Sequence, residues 1–350
     1  MPTADFVDVF AVRLAVRRCL AALPLDPNSL VLVACSGGAD SLALAAALAY
    51  ESKRVRRSTR LRGFTIQAGA VIVDHGLQAN SAQVAAQAAA SCRELGLHPV
   101  EVQQVDVNDS HGGGLQAAAR DARYAAFTEV VATTGATAVL LAHTADDQAE
   151  QVLLSLARGS GTRSLAGILP ERGIYHRPLL SLRHAQLTAA CRAQGLDWWE
   201  DPTNHRTGPG AGLRARVRNE LLPQIEEVLG AGAAMSLVRS AQLAHDDAEA
   251  LDWWALDLLH RATLASPPGV ETGDVALETG KLATAPAAVR RRTLRLAALA
   301  VGAPPGDLRS VHLTALDDLV VNYTGQNATF LPSGASVHRT CDTLVFVPKE

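Results

Sequence analysis

Two patterns of hydrophobic and polar positions divide the chain at about residue 223. Before this point, short apolar runs of strand length alternate with segments in which apolar residues recur every three or four positions. The first segment, from about Asp5 to Leu23, predicts an amphipathic helix, and the runs at 31–35, 68–73, 100–107 and 138–142 predict buried strands. This alternation is typical of an α/β fold with a doubly wound, mostly parallel sheet.

From about residue 224 the alternation stops. Helical periodicity covers 234–264, 286–301 and 308–321, and 329–347 has the pattern of a hairpin. We therefore predict two domains, 1–223 with the sheet and 224–350 with a smaller, mainly helical fold. Four arginines of the second helix (Arg290, Arg291, Arg292 and Arg295) are compatible with RNA-backbone contacts or, equally, with a plain solvent-exposed face.

A glycine corner follows the first predicted strand, in the string Ser36-Gly37-Gly38-Ala39-Asp40-Ser41. Free N–H groups of a helix start and two serine hydroxyls would bind an anion there, and a phosphate chain is the expected one. Asp40 would repel a phosphate unless a divalent cation lies between them, which favours a Mg²⁺-nucleotide. The alternative is an ordinary glycine-rich turn between a strand and a helix.

Polar residues also follow two further predicted strands. Asp74 and His75 end the second, and His143 with Asp146 and Asp147 follows the fourth. Because the carboxyl ends of parallel strands meet at one sheet edge, we expect these groups near the phosphate corner. Capping of a strand end or of a helix start by the carboxylates is the alternative.

Arg120 and Arg123 lie three positions apart in the helix predicted after 112–114. Their side chains can project together and clamp a phosphate or a carboxylate, although such a pair is often only a solvated basic face. The segment 51–62 has six basic residues and one acid, which indicates a solvated loop or, alternatively, an RNA-phosphate contact. Trp198 and Trp199 would fill the core or stack on a base.

Composition narrows the class of protein. The chain has 350 residues, 48% hydrophobic and 4% aromatic, and a formal charge of −3, which excludes a wholly basic nucleic-acid-wrapping protein. Its five cysteines form no C-x-x-C pair, which argues against disulfides, structural zinc and iron–sulfur clusters. With no signal-peptide pattern at the start and no apolar run of about 18 residues, we expect a cytoplasmic protein without a membrane span.

Three strings, S-G-G-A-D-S at 36–41, V-D-H-G-L at 73–77 and H-T-A-D-D-Q-A-E at 143–150, resemble the PP-loop ATP pyrophosphatase superfamily. The segments A-R-G-S-G at 157–161, R-P-L-L at 177–180 and E-D-P-T-N at 200–204 narrow the resemblance to the bacterial tRNA(Ile)-lysidine synthetase family, over about residues 30–223. The resemblance implies that ATP and Mg²⁺ adenylate the C2 oxygen of the wobble cytidine in the CAU anticodon of tRNA(Ile). Free L-lysine would then displace AMP, the second domain, 224–350, would hold the tRNA, and a homodimer is one option for assembly.

The resemblance also implies roles for individual residues. It assigns the pyrophosphate and adenosine of ATP to Ser36, Gly37, Gly38, Ala39, Asp40, Ser41, Asp74 and His75, and the metal to Asp40 and Asp147. It assigns catalysis to Asp40, Arg120, His143, Asp146 and Asp147, and substrate binding to Arg123, Arg177, Asp201 and Asn204. Gln78, Gln116, Gln151 and Thr203 depart from the family pattern. A tRNA thiolase, an amidotransferase-type synthetase and a noncatalytic RNA-binding module are the alternatives.

Overall fold

The computed structural model describes residues 4–55, 66–78, 80–107, 114–159, 161–202, 207–208, 210–265, 270–332 and 334–349. The chain divides into two compact units, Met1–Gln242 and Leu243–Glu350. The division falls inside one long helix, Ala233–Ala262, whereas the sequence pattern changes nearer residue 223.

A six-stranded sheet forms the centre of the first unit. Its strands are β1 Leu30–Ala34, β2 Gln67–Asp74, β3 Val100–Gln104, β4 Ala138–Leu140, β5 Glu171–Arg172 and β6 Tyr175–His176, in the spatial order β3-β2-β1-β4-β6-β5. All neighbours pair in parallel except β5 and β6, which form a short antiparallel edge that the sequence does not predict. The predicted mostly parallel sheet is confirmed.

Helices cover both faces of this sheet. In chain order they are α1 Ala4–Ala22, α2 Ala39–Val55, α3 Ser81–Glu94, α4 Leu115–Thr134, α5 Ala145–Ala157, α6 Thr162–Leu165, α7 His184–Ala193, α8 Leu213–Arg216, α9 Leu222–Leu229 and α10 Ala233–Ala262, with a π-helical turn Val217–Leu221 between α8 and α9. Alternate β1 residues point to opposite faces. Val31 and Val33 pack with α1, α2, α3 and α7, while Leu32 packs with Phe127 of α4.

The strand order reverses direction at β1. The chain moves from β1 to β2 and β3 on one side and returns to β4 on the other. In doubly wound sheets, the carboxyl ends of the strands at such a reversal flank a crevice in which ligands bind. Ser36, Asp74 and His143 follow or end the strands that border this crevice.

The second unit contains a four-stranded antiparallel sheet with helices. Its elements after α10 are β7 Val275–Glu278, α11 Thr279–Ala283, α12 Ala287–Ala300, α13 Ser310–Val321, β8 Thr329–Phe330, β9 Ser336–Thr340 and β10 Thr343–Val347, and the strand order is β7-β10-β9-β8. The predicted hairpin is present as β9 and β10. The sequence analysis misses β7 and α11, which are only four and five residues long.

Arginines of α12 bind carboxylates of their own unit. Arg290 is buried, and its Nε donates to Oδ1 of Asp317 at 2.6 Å, while Arg291 Nε donates to Oδ2 of the same carboxylate at 2.9 Å. Arg292 pairs with Asp252. Arg290 therefore has neither of the two predicted roles, since it lies neither on a solvent face nor where an RNA backbone can reach it.

No single helix in the described residues has the length and apolar composition needed to cross a membrane. One bent pair of helices, Leu213–Leu229 with Ala233–Ala262, meets the criteria of length and composition when its two parts are taken together.

Candidate active site

The corner between β1 and α2 is held in shape by its own hydroxyl groups. Ser41 Oγ donates to the Gly38 carbonyl at 2.9 Å and accepts from the Ser36 backbone N–H at 3.1 Å. Its oxygen lies 3.3 Å from Ser36 Oγ. Ala39 begins α2, so the free N–H groups of the first helical turn belong to this corner. The arrangement suits a multiply charged anion such as a phosphate chain.

Gly37 and Gly38 differ in why they are glycines. Gly37 has φ +83°, and a Cβ there would lie 3.3 Å from Ala88 Cβ of α3. At Gly38 a Cβ would meet only ordinary contacts, Ser36 Oγ at 3.7 Å and the Trp199 carbonyl at 3.8 Å. The backbone N–H of Trp199 donates to the Gly37 carbonyl at 3.0 Å, which fixes the 196–201 segment against the corner. Gly37 is therefore needed for its backbone conformation, whereas Gly38 leaves empty space beside the corner.

A cavity of about 410 Å³ opens at the carboxyl ends of β1, β2 and β4. Its volume is in the range of small-molecule sites. Apolar residues of the three strands form much of its wall, together with Trp199. The predicted site residues around it are Ser36, Ser41, Asp74, His75, Arg123, His143 and Asp201.

Asp74 and His75 close the β2 side of the cavity. Asp74 is buried, and its Oδ1 accepts from the Gly76 N–H at 3.0 Å, so this carboxylate also caps the end of its own strand. Arg123 Nε donates to His75 Nε2 at 3.2 Å. Burial and the neighbouring Arg123 charge lower the pKa of His75, which keeps the imidazole neutral near pH 7.

His143 lies on the β4 side. Burial lowers its pKa to about 4, and the charges of Arg177, Arg120 and Arg123 act in the same direction against the opposing effect of Asp147. The buried Nδ1 has no hydrogen-bond partner within the described part of the chain. His143 is therefore a neutral imidazole at physiological pH and can accept a hydrogen bond.

Asp40 and Asp146 both form a hydrogen bond with His184, the first residue of α7. His184 Nδ1 lies 2.7 Å from Asp40 Oδ1, and the His184 backbone N–H donates to Asp146 Oδ2 at 2.7 Å. Arg183 Nε donates to Asp146 Oδ1, also at 2.7 Å. Burial raises the pKa of Asp40, an effect that the hydrogen bond from His184 opposes. The start of α7 thus holds two of the predicted catalytic carboxylates.

Asp147 has two functions in the structure. Its Oδ2 accepts from the backbone N–H and the hydroxyl of Thr144 at 2.8 and 3.0 Å, which makes it the acid of a capping box at the start of α5. Its Oδ1 accepts from Arg218 Nη2 at 2.9 Å. The same guanidinium binds Glu150, which is fully buried one turn further along α5. Asp147 therefore caps the start of α5, which was the alternative prediction, and it also binds Arg218.

The remaining predicted residues take different positions. Arg120 lies 5.1 Å from the ring centre of Tyr124, one turn further along α4. Arg177 is buried, donating to the Leu169 carbonyl at 2.8 Å and to the Tyr124 hydroxyl at 3.3 Å. Asp201 accepts from Gln78 Nε2 at 3.2 Å. Asn204 lies outside the described residues, as does most of the basic stretch 51–62.

Sequence reasoning missed the partners of the acidic groups. His184 offered no signal, since it is separated from Asp40 by 144 positions. Arg218 lies in an arginine-rich segment with Arg214 and Arg216, a pattern typical of surface charge, whereas the structure turns it inward from the π-helical turn. Glu150 is within the string 143–150 and lies three positions after Asp147 on the same helical face, a spacing that could have identified it.

The chain is similar to known proteins over most of its length. Residues 13–225 match the family model of the PP-loop domain. The tRNA(Ile)-lysidine synthase of Streptomyces coelicolor is 47% identical over 92% of this chain and 86% of its own length, and that of Thermobifida fusca is 47% identical over 97% of each chain. The synthase of Salinispora tropica is also 47% identical, over 97% of this chain and 96% of its own.

Among solved structures, the U34-tRNA thiolase NcsA from Methanococcus maripaludis superposes with a TM-score of 0.53 at 19% identity, over 69% of this chain and 80% of that one. At this identity the superposition supports the fold alone. The family model and the full-length relatives carry the assignment further: the chain belongs to the tRNA(Ile)-lysidine synthase family of PP-loop proteins.

Proposed function

We propose that the protein is an ATP-dependent RNA-modifying ligase that joins L-lysine to C2 of the wobble cytidine in the CAU anticodon of tRNA(Ile). The observation that carries the proposal is the cavity of about 410 Å³ with the phosphate-binding corner on one side and titratable groups around it. The names of relatives that match nearly the whole chain support the choice of substrate.

ATP lies across the crevice in this proposal. The adenosine occupies the cavity beside Asp74 and His75, and the pyrophosphate end lies on Ser36, Gly37, Gly38, Ala39 and Ser41. The hydroxyls of Ser36 and Ser41 and the start of α2 support this direction, because all are donors at one end of the cavity.

The acidic groups fit a magnesium ion. The negative charge of Asp147 is one of the causes, after burial, that raise the pKa of Asp40. No group of three or more His, Cys, Asp or Glu side chains with the geometry of a metal site occurs among the described residues. Mg²⁺ commonly binds one or two carboxylates together with substrate phosphates, so two aspartates and ATP are a suitable donor set. Bound there, the ion would neutralise charge on the leaving pyrophosphate.

The proposed reaction has two steps. The C2 oxygen of cytidine attacks the α-phosphorus of ATP, the bond to pyrophosphate breaks, and the base is adenylated. The ε-nitrogen of lysine then attacks C2, the C2–O bond breaks, and AMP leaves with that oxygen. Arg120 and Arg123 on one face of α4 provide positive charge for the reacting phosphate.

The lysine ammonium, with an ordinary pKa of about 10.4, must lose a proton before it attacks. His143 lines the cavity and is neutral near pH 7, because its pKa is about 4. An imidazole with a pKa of about 4 is too weak a base to take this proton, so we assign His143 to accept a hydrogen bond from the amine, with Asp146 and Asp147 providing the negative charge that attracts the ammonium. Arg123, Arg177, Asp201 and Asn204 stay predictions for binding of cytidine and lysine.

A tRNA thiolase with an iron–sulfur cluster is one alternative, because such a thiolase shares the fold of the first unit. Such a cluster needs several converging cysteines. The five cysteines are free thiols: Cys35, Cys92 and Cys191 are buried, Cys19 is half-buried and Cys341 is exposed. Cys35 and Cys92 are hydrogen-bonded to each other, but no group of three or more possible metal ligands occurs among the described residues, and the sequence contains no C-x-x-C pair. Free thiols agree with a reducing cytoplasm as the place of the reaction. A homodimer stays a prediction.

The decisive experiment measures pyrophosphate release from ATP, Mg²⁺ and unmodified CAU-anticodon tRNA(Ile), with and without radiolabelled lysine. Entry of the label into the tRNA is the expected result. Pyrophosphate release without lysine transfer would reject lysine as the nucleophile, and tRNA binding without pyrophosphate release would favour a noncatalytic module.

An Asp40→Asn variant tests the assigned site in the same assay. We expect pyrophosphate release to fall by at least about a hundredfold, since the carboxylate at the start of α2 cannot be replaced by a neutral amide in binding Mg²⁺. The matched control is Asp26→Asn, which changes an exposed carboxylate before β1 and should leave release unchanged. Unchanged release in Asp40→Asn would remove Asp40 from the mechanism.

A further inference from the structure

Aromatic and arginine side chains form a groove on the surface of the first unit, where the start of α1 lies beside the end of α2. We call this the aromatic–arginine groove. It has a volume of about 430 Å³ and is lined by Phe6, Val7, Val9, Phe10, Arg13, Arg17, Tyr50 and Arg54. Phe6 is 56% exposed and Phe10 57% exposed, although both are large and apolar. Exposed apolar groups that are grouped in this way mark a surface that binds a partner.

Arginine and tyrosine stack within the groove. The guanidinium carbon of Arg13 lies 3.6 Å from the ring centre of Tyr50, and that of Arg54 lies 5.4 Å from it. Arg54 Nη1 also donates to the Tyr50 hydroxyl at 3.0 Å. These contacts hold two planar cations and a ring in fixed positions beside the two phenylalanines.

The groove has an excess of positive charge. Arg17 is neutralised by Glu51, with hydrogen bonds of 2.9 and 2.8 Å, but Arg13 donates to the amide oxygen of Gln194 and Arg54 to a hydroxyl. No carboxylate is among the described residues that line the groove. An anionic partner is therefore favoured.

We propose that the aromatic–arginine groove binds an unpaired nucleotide of the tRNA substrate, outside the nucleotide that reacts. The proposal rests on the proposed function. Unpaired RNA bases stack on aromatic rings and on guanidinium planes, while arginines bind the adjoining phosphates. A second copy of this chain fits less well, because a symmetric interface would bring the arginines of both copies together.

The groove lies within reach of the same RNA as the active site. Asp40 and Tyr50 are both on α2, ten residues apart, which corresponds to about 15 Å along the helix axis. A stacked strand covers this distance with about four or five nucleotides at 3.4 Å each. One RNA loop can thus place one base in the cavity and another nucleotide in the groove.

Direct binding of CAU-anticodon tRNA(Ile) to the full chain tests the proposal. We expect Phe10→Ala and Arg54→Glu each to raise the Kd by about tenfold, from the loss of a base stack or a phosphate contact. Arg54→Glu should also reduce the slope of log Kd against log salt concentration by about 0.9, and Arg54→Lys should keep the wild-type slope. The Kd for ATP should not change in any of these variants.

Two variants at exposed positions elsewhere in the first unit serve as controls, Val102→Ala on β3 and Arg172→Glu on β5. Wild-type affinity and salt slope in both groove variants would overturn the proposal. So would groove variants that shift sedimentation from dimer to monomer and keep the tRNA affinity, since the groove would then bind a second copy. If the wild type itself binds no tRNA, the proposed function fails instead, which the same titration reveals.

Discussion

Arg218 and Glu150 form an ion pair in which only the arginine reaches solvent. The glutamate side chain is fully buried and that of Arg218 is 40% exposed, and the guanidinium also binds Asp147 at 2.9 Å. Burial raises the pKa of Glu150, and the hydrogen bond and charge of Arg218 oppose this rise. Arg218 thus offsets part of the cost of burying a carboxylate inside the first unit, next to the predicted catalytic aspartates.

Removal of Arg218 should therefore lower the stability of the protein. We expect Arg218→Ala to lower the free energy of unfolding by about 2–3 kcal/mol, at or below the lower end of the range of about 3–5 kcal/mol for breaking a buried pair, because Arg218 is partly solvated. Urea unfolding measures the change. Arg216→Ala, which breaks an exposed pair with Glu220, should cost less than about 1 kcal/mol. Adding Glu150→Gln to Arg218→Ala should restore part of the loss, and no restoration would contradict this account.

The two glycines of the phosphate corner should respond differently to alanine. Gly37→Ala puts a Cβ at φ +83° and 3.3 Å from Ala88 Cβ, so we expect a loss of about 1–2 kcal/mol of stability together with at least a tenfold weaker ATP affinity. Gly38→Ala meets only ordinary contacts and should change stability by less than about 0.5 kcal/mol. The Gly38→Ala variant should still bind ATP more weakly, because its methyl group points into the space beside the anion site. Thermal unfolding and ATP titration separate the two effects, and equal stability losses would reject the distinction.

The buried imidazole of His143 predicts a pH dependence of stability. Its pKa is about 4 in the folded protein and about 6.5 in an unfolded chain, so the unfolded chain binds more protons between these values. The contribution of neutral His143 is fully present above pH 6.5 and is lost as the pH falls toward 4, by up to about 3 kcal/mol. A His143→Gln variant should show a shallower decline over this window in denaturant unfolding. The exposed control His260→Gln should follow the wild type, and parallel curves for all three proteins would contradict the shifted pKa.

The buried pair of Arg290 and Asp317 should matter for folding of the second unit. Arg290 also donates to the Ala285 carbonyl at 2.8 Å, so Arg290→Ala leaves a buried carboxylate and a carbonyl without this donor. We expect a loss of about 3–5 kcal/mol. Arg291→Ala, at a side chain that is 51% exposed, should cost less than about 1 kcal/mol. Thermal unfolding of both variants measures the difference, and equal small losses would show that the pair is dispensable.

The sequence predicted the parts of this molecule that depend on local pattern. Strand-length apolar runs identified β1 to β4, and the polar residues after them indicated the sheet edge that borders the cavity. Contacts between distant segments were not predictable. His184 reaches Asp40 across 144 positions, and Arg290 reaches Asp317 across 27, and no local spacing encodes either contact. Runs of arginine resemble surface charge in a sequence, because a sequence does not show which carboxylate lies opposite.

The backbone hydrogen bond from Trp199 to Gly37 holds a tryptophan at the wall of the cavity, where its fluorescence can be measured. The chain contains four tryptophans, of which Trp199 lines the cavity while Trp253 and Trp254 of α10 are exposed. Indole emission responds to the polarity and charge around the ring. Replacing Trp253 and Trp254 by phenylalanine would leave only Trp198 and Trp199 as emitters, so that the protein would report occupation of its own nucleotide site by fluorescence, without an attached dye.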